Sequence, residues 1–129
     1  MTDVRLENEK MIIEIKELGA ELVRIYDKVQ QREVLWEARP EVWGRHAPIL
    51  FPFIGNSYEG VYHHQGKTYP MTPHGFSRDI NFELKSLSES AVVYCQTDNK
   101  DTYEVYPFHY ALEVEHRLED SKIHIEWKV

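Results

Sequence analysis

The chain has 129 residues, a net charge of −7, a single cysteine, and eight Tyr, five Phe and three Trp. That length holds one domain around one core, so residues 1–129 are read as a single domain. The negative charge argues against nucleic acid and anionic membrane surfaces as partners, since both reward clustered Lys and Arg. The lone Cys95 excludes an intramolecular disulfide and a cysteine zinc site.

The N-terminal stretch MTDVRLENEK is polar and acidic. It resembles neither a secretory signal nor a transit peptide, and the apolar runs fall far short of a membrane span. A cytoplasmic location is the expectation. Residues 4–6 and 11–15 read as a first hairpin with Asn8-Glu9 at its turn. Gly19 suggests a bend or bulge. Residues 22–26 form the next strand, and 34–36 a short one after the polar turn 27–33. Residues 39–45 hold a turn of helix, with Pro40 at a first position that needs no N–H.

A short apolar run, residues 49–54, is broken by Pro48 and Pro52 and closed by Gly55. Proline supplies no N–H to a helix or a strand ladder, so this run is neither. Asn56 and Ser57 follow, then a hairpin of 61–64 and 67–69 about Gln65-Gly66, then Pro73-His74-Gly75-Phe76. Residues 81–87 and 91–96 pair around Ser88-Glu89-Ser90, which makes Cys95 a strand thiol. Residues 97–102 are a polar loop with room for one helical turn. From Phe108 to Leu118, and again from Ile123 to Val129, apolar and polar residues alternate. A period of two marks strands with one buried face and one wet face. His116 falls in the apolar phase, where it reads as a core histidine, whereas His109 and His124 fall on the wet face. Short strands at regular spacing predict an all-β antiparallel sandwich.

Residues Leu18-Gly19-Ala20-Glu21-Leu22, Leu35-Trp36, Trp43, Ala47 to Pro52, Gly55, Gly66 to Tyr69 and His74 to Asp79 resemble, in order, the bacterial branch of the aldose 1-epimerase (galactose mutarotase) family. The resemblance implies a galactose mutarotase-like antiparallel β-sandwich, of which this chain would be the N-terminal portion. It implies interconversion of the α and β anomers of a free sugar. A base removes the anomeric hydroxyl proton, an acid protonates the ring oxygen, and the ring opens and recloses. Each positioned proton transfer contributes about 10²–10⁴-fold, and no metal or organic cofactor is required.

His74 matches the first of two histidines on the ring side of the sugar, and its implied role is to hydrogen-bond the substrate and stabilise charge on the ring oxygen. The resemblance puts the second histidine, an acidic sugar-binding residue and the glutamate base beyond Val129. Asn56 stands where the family usually carries an Arg that holds sugar hydroxyls; an amide offers no charged fork. Phe76 is the candidate to pack against the sugar, and Arg78 the candidate to lend a charge unless Asp79 claims it. His63, His64 and His74 do not make a metal site, because neighbouring strand residues point to opposite faces.

Three functions compete: an epimerase of this kind, a sugar-binding or regulatory β-domain without catalysis, and a structural β-domain that acts by association. The small-molecule partner expected is a sugar. Self-association is expected through an unpaired edge at the last strand, with Ile123, Ile125 and Trp127 exposed there or covered by a partner.

Overall fold

The computed structural model describes residues 3–129, so the first two residues of the polar N-terminal stretch lie outside the described residues. Strands β1 (Val4–Glu7), β2 (Met11–Ile15), β3 (Leu22–Asp27) and β4 (Arg32–Glu33) form one antiparallel sheet in chain order. The first turn is made by Asn8, whose Oδ1 accepts the backbone N–H groups of Lys10 and Met11 at 2.8 and 2.9 Å. Asn favours turns because its side chain can replace backbone partners in this way. Next comes a separate hairpin, β5 (Val61–His64) and β6 (Lys67–Pro70). Its turn residues Gln65 and Gly66 both have positive φ, 50° and 77°, as a two-residue hairpin requires.

Strands β7 (Glu83–Leu87), β8 (Ala91–Thr97), β9 (Ala111–Glu119) and β10 (Lys122–Lys128) form the second antiparallel sheet, ordered β10-β9-β8-β7. A short helix, α1 (Lys100–Val105), joins β8 to β9 and starts from a capping box between Asn99 and Thr102. No helix among the described residues is long and apolar enough to cross a membrane.

The period-two pattern places one side of β1, β8 and β9 inside. Leu6, Ile13, Ile15 and Leu22 of the first sheet share a core with Val92, Tyr94, Leu112 and Val114 of the second. Each such side chain contributes about 1.5–3 kcal/mol by leaving water. The result is the expected antiparallel sandwich.

Several boundaries differ from expectation: β7 starts at Glu83 rather than at residue 81, the helical turn expected within 97–102 is α1 at Lys100–Val105, and two further shifts have a visible cause. The strand expected at 34–36 is instead β4 at Arg32–Glu33. There Arg24 of β3 grips Glu33 at 2.8 Å, and past Glu33 the Val34 N–H reaches the Ile25 carbonyl at 2.9 Å. Val34 is 54% exposed on this open edge, so a cross-strand ion pair, not apolar burial, defines the pairing. Strand β9 starts at Ala111 rather than Phe108. The Phe108 N–H folds back onto the Tyr106 carbonyl at 2.7 Å, and its ring packs on Tyr106 and His64. Tyr110 keeps its expected buried place.

Gly19 makes the bend anticipated for it and does more. Its φ is +69°, and a Cβ there would lie 2.6 Å from the Arg78 carbonyl oxygen. The Gly19 N–H donates to Ile80 O, and the Phe82 N–H to Glu17 O, both at 2.9 Å. The bend of the first sheet is thus the seat of residues 77–82, which carry the chain from the His74 loop into the second sheet.

Candidate active site

The proline-broken run is irregular, as expected, and the segment containing His74 is laid against it. Phe51 forms a parallel bridge with Gly75. Its carbonyl accepts the N–H groups of Phe76 and Ser77 at 3.0 and 3.1 Å. Four residues after Phe51, Gly55 is joined twice to His74. The His74 N–H donates to Gly55 O at 2.9 Å, and the Gly55 N–H donates to His74 Nδ1 at 2.9 Å. Thr72 closes the loop from below by donating its hydroxyl to Gly75 O at 2.9 Å.

These bonds set the chemistry available to His74. A ring nitrogen that accepts an N–H carries no proton in that state, so the neutral imidazole holds its proton on Nε2. The half-buried ring can therefore donate from Nε2 to an oxygen of a ligand. His74 sits at φ +64°, a left-handed conformation in which His is several-fold enriched among non-glycine residues.

A buried polar network fixes the far end of the segment. The Ser77 hydroxyl donates to Gln96 Oε1 at 2.7 Å, and the Tyr110 hydroxyl donates to the same oxygen at 2.9 Å. Gln96 Nε2 reaches back to Ser77 O at 3.3 Å. Ser77 and Gln96 are 0% and 3% exposed. Burial pushes the Tyr110 phenol up to about 12, so it remains a neutral donor across the physiological range. Sequence reasoning did not single out this trio. The available signal was Gln96 itself, an amide occupying the buried phase after Val92 and Tyr94.

The other sequence-derived candidates lie around His74 in different ways. Asn56 is exposed and follows Gly55, whose N–H bonds the His74 ring. Phe76 is half-buried against Tyr106 and Tyr110, with ring centroids 6.2 Å away in each case. It also lines an apolar hollow of about 490 Å³ with Met71, Thr72, Pro73 and Val105. Arg78 turns its guanidinium onto the loop, donating from Nη2 to Pro73 O at 3.0 Å. Its Nε lies 4.0 Å from Asp79, while Asp79 has a shorter pairing, 2.8 Å, with Arg45.

Three of the remaining histidines have side-chain partners of their own, and His116 is set apart by burial. His63 Nδ1 is 2.9 Å from Thr68 Oγ1. His109 is exposed and bonded to Asp98 at 2.8 Å, and that bond is the first cause holding the Asp98 carboxyl below its usual range. His124 lies 3.0 Å from Glu119. His116 is buried, at 3% exposure.

The single bond from Gly55 sets the stability cost of losing the His74 ring. His74→Ala is expected to lower stability by about 1 kcal/mol, because water can replace part of a half-buried acceptor. Urea unfolding checks this. A loss above about 2 kcal/mol would assign the ring a mainly structural role.

Comparison with known proteins matches the geometry. The family model for aldose 1-epimerase matches residues 2–129. The Lactococcus lactis protein LacX is 32% identical over 98% of this chain, which spans 44% of LacX. A solved galactose mutarotase-like protein from Lactobacillus casei is 40% identical with a TM-score of 0.94, over 97% of this chain and 42% of that one. A galactose mutarotase related enzyme from Lactobacillus acidophilus is 33% identical with a TM-score of 0.95, over 98% and 42%. The chain therefore spans less than half the length of these relatives. With a family match over almost its whole length and a superposable fold, the chain belongs to the aldose 1-epimerase family.

Proposed function

We propose that this chain contributes the sugar-holding side of an aldose 1-epimerase site and acts on a free hexose. The observation that carries the reading is the bond from the Gly55 N–H to His74 Nδ1. It leaves Nε2–H as a donor for the ring oxygen, where negative charge develops as the ring opens. A preorganised donor aimed at developing charge favours the transition state over the ground state. Asn56, next to Gly55 in the chain, is assigned to exchange hydrogen bonds with sugar hydroxyls, and Phe76 to offer an apolar face. Arg78 braces the loop through Pro73 while keeping a charge near His74.

His74 is one proton-handling group, and mutarotation needs two. The family resemblance assigns the general acid and the glutamate base to positions outside residues 1–129. Each positioned group is worth about 10²–10⁴-fold, so the 129-residue chain alone is expected to accelerate mutarotation weakly or not at all. Polarimetry of freshly dissolved α-glucose and α-galactose measures this, with a full-length relative as positive control. Robust turnover would place the acid and base within these residues. Sugar binding is read separately from the His74 ring signals in NMR during titration with galactose or glucose. Shifts that are lost in His74→Ala support the reading, and unperturbed ring signals at saturating sugar would overturn it.

A second reading, a sugar-binding domain without catalysis, is favoured by Asn56, which lacks the charged fork that the family uses at that position. Asn56→Arg separates the two. Tighter sugar binding in the variant supports a site adapted from a catalytic one, whereas clash and weaker binding support a site built around the amide.

A further inference from the structure

Gln96 stands on the core face of β8, in phase with the buried Val92 and Tyr94. Burying an amide is unfavourable unless its hydrogen bonds are made, and an apolar side chain of similar size would fill the position without that cost. The bonds it makes converge on one short stretch. Nε2 faces Ser77 O at 3.3 Å and Ile80 O at 3.5 Å. These carbonyls lie at the start of, and just past, the single 3-10 turn Ser77–Asp79. Oε1 accepts the hydroxyls of Ser77 and Tyr110. Chemistry fixes which way the amide points. A carbonyl can only accept, so the NH2 group faces the two carbonyls and the oxygen faces the two hydroxyls. Ile80 O also takes the Gly19 N–H, so the turn is held from both sheets. Ser77 and Gln96 are closed to solvent, and every bond of the network is made between described residues.

We propose that Gln96 is a positioning residue for His74: through Ser77 it sets the ring nitrogen that is left free to donate. The role rests on the reading of His74 as the sugar-facing donor. The His74 loop and the run that ends at Gly55 are stapled together at two points. At one end Phe51 O takes the N–H groups of Phe76 and Ser77. At the other, Gly55 and His74 exchange two bonds. Gln96 acts on the first staple. It holds Ser77 by the hydroxyl and the carbonyl together, so rotation of the Ser77 backbone breaks one of those bonds. The Ser77 N–H therefore stays on Phe51 O. With that end fixed, the Gly55 N–H meets His74 Nδ1 and the ring keeps its proton on Nε2. A fully satisfied buried network specifies one arrangement in this way. Only an amide supplies both halves of the grip. A carboxylate has no donor for the two carbonyls, and an apolar side chain has neither donor nor acceptor.

The test reads the His74 ring nitrogens by NMR without sugar, at about pH 8, where an ordinary histidine is neutral. The native chain should show the Nε2–H tautomer. Gln96→Met keeps the length of the side chain and removes the whole grip. It should shift the tautomer ratio about two- to tenfold toward Nδ1–H, the range set by losing one ordinary hydrogen bond. Tyr110→Phe is the control. It removes a hydroxyl from the same amide oxygen but keeps the ring that packs on Phe51 and Phe76, and it leaves both bonds to Ser77. This variant should lose stability while the His74 tautomer stays as it was. An unchanged tautomer in folded Gln96→Met would overturn the proposal. So would an equal shift in Tyr110→Phe, which would make the effect a general loosening. Should Gln96→Met fail to fold, Ser77→Ala decides, because it removes the hydroxyl bond alone. A shift toward Nδ1–H there supports the positioning role, and an unchanged ratio overturns it. Sugar titration is read separately. A ring that responds to Gln96→Met but not to sugar supports the positioning role while overturning the functional reading.

Discussion

Gly75→Ala is expected to destabilise the protein by about 3–5 kcal/mol and to disorganise the site at His74. Two independent effects combine. The first is conformational: Gly75 has φ +76°, and an L-residue in the left-handed region costs about 1–2 kcal/mol. The second is steric and larger. A Cβ on Gly75 would lie 2.1 Å from the Phe51 carbonyl oxygen and 2.4 Å from its carbon. That oxygen is the acceptor for both Phe76 and Ser77. Moving it aside breaks two backbone bonds, each worth about 0.5–1.5 kcal/mol net and more if a donor is left buried. Ser77 is also the anchor to Gln96, so the displacement reaches the second sheet.

Gly66→Ala is the control. Gly66 has nearly the same φ, +77°, but no atom lies within 4 Å of its would-be Cβ, so only the conformational cost of about 1–2 kcal/mol remains. Urea unfolding of both variants checks the difference. Equal losses at the two glycines would show that the Phe51 contact contributes nothing.

Acid should destabilise the protein through His116 before its carboxylates are protonated. His116 is 3% exposed on β9, its Nδ1 has no hydrogen-bond partner among the described residues, and desolvation lowers its pKa to about 4. In the unfolded chain an ordinary histidine titrates near 6.5. Between those values the unfolded state binds a proton that the folded state refuses. The stability associated with a neutral His116 is therefore complete above about pH 6.5 and is lost progressively as pH falls toward about 4. A separation of two to three pKa units corresponds to about 3 kcal/mol. Urea unfolding at about pH 7.5 and about pH 4.5, for the native chain and for His116→Leu, measures this. The native chain should lose most of that amount across the interval, and the variant should lose distinctly less. Parallel profiles would show that His116 does not dominate acid sensitivity. Glu7 and Asp120, whose carboxyls are held below their usual range first by Lys28 and by Lys10, act only at lower pH.

The amino-acid sequence determined by itself whatever depends on near neighbours along the chain. The alternation of Leu112, Val114, His116 and Leu118 with polar residues was enough to assign β9 its two faces, because side-chain direction in a strand repeats every two residues. Asn8 and Gln65-Gly66 marked their turns, because a short polar side chain and a positive-φ pair each act on the backbone within three residues. His74 was legible because it lies in an ordered set of short motifs. What the tertiary structure decided are contacts between residues far apart in sequence. Gly75 and Gly19 read only as turn glycines until Phe51 and Arg78 are seen to press against them. Gln96 reads as a misplaced amide until Ser77 and Tyr110 meet at its oxygen. The His74 tautomer depends on an N–H nineteen positions away. Local periodicity fixes which way a side chain points, and only the folded chain fixes what it meets there.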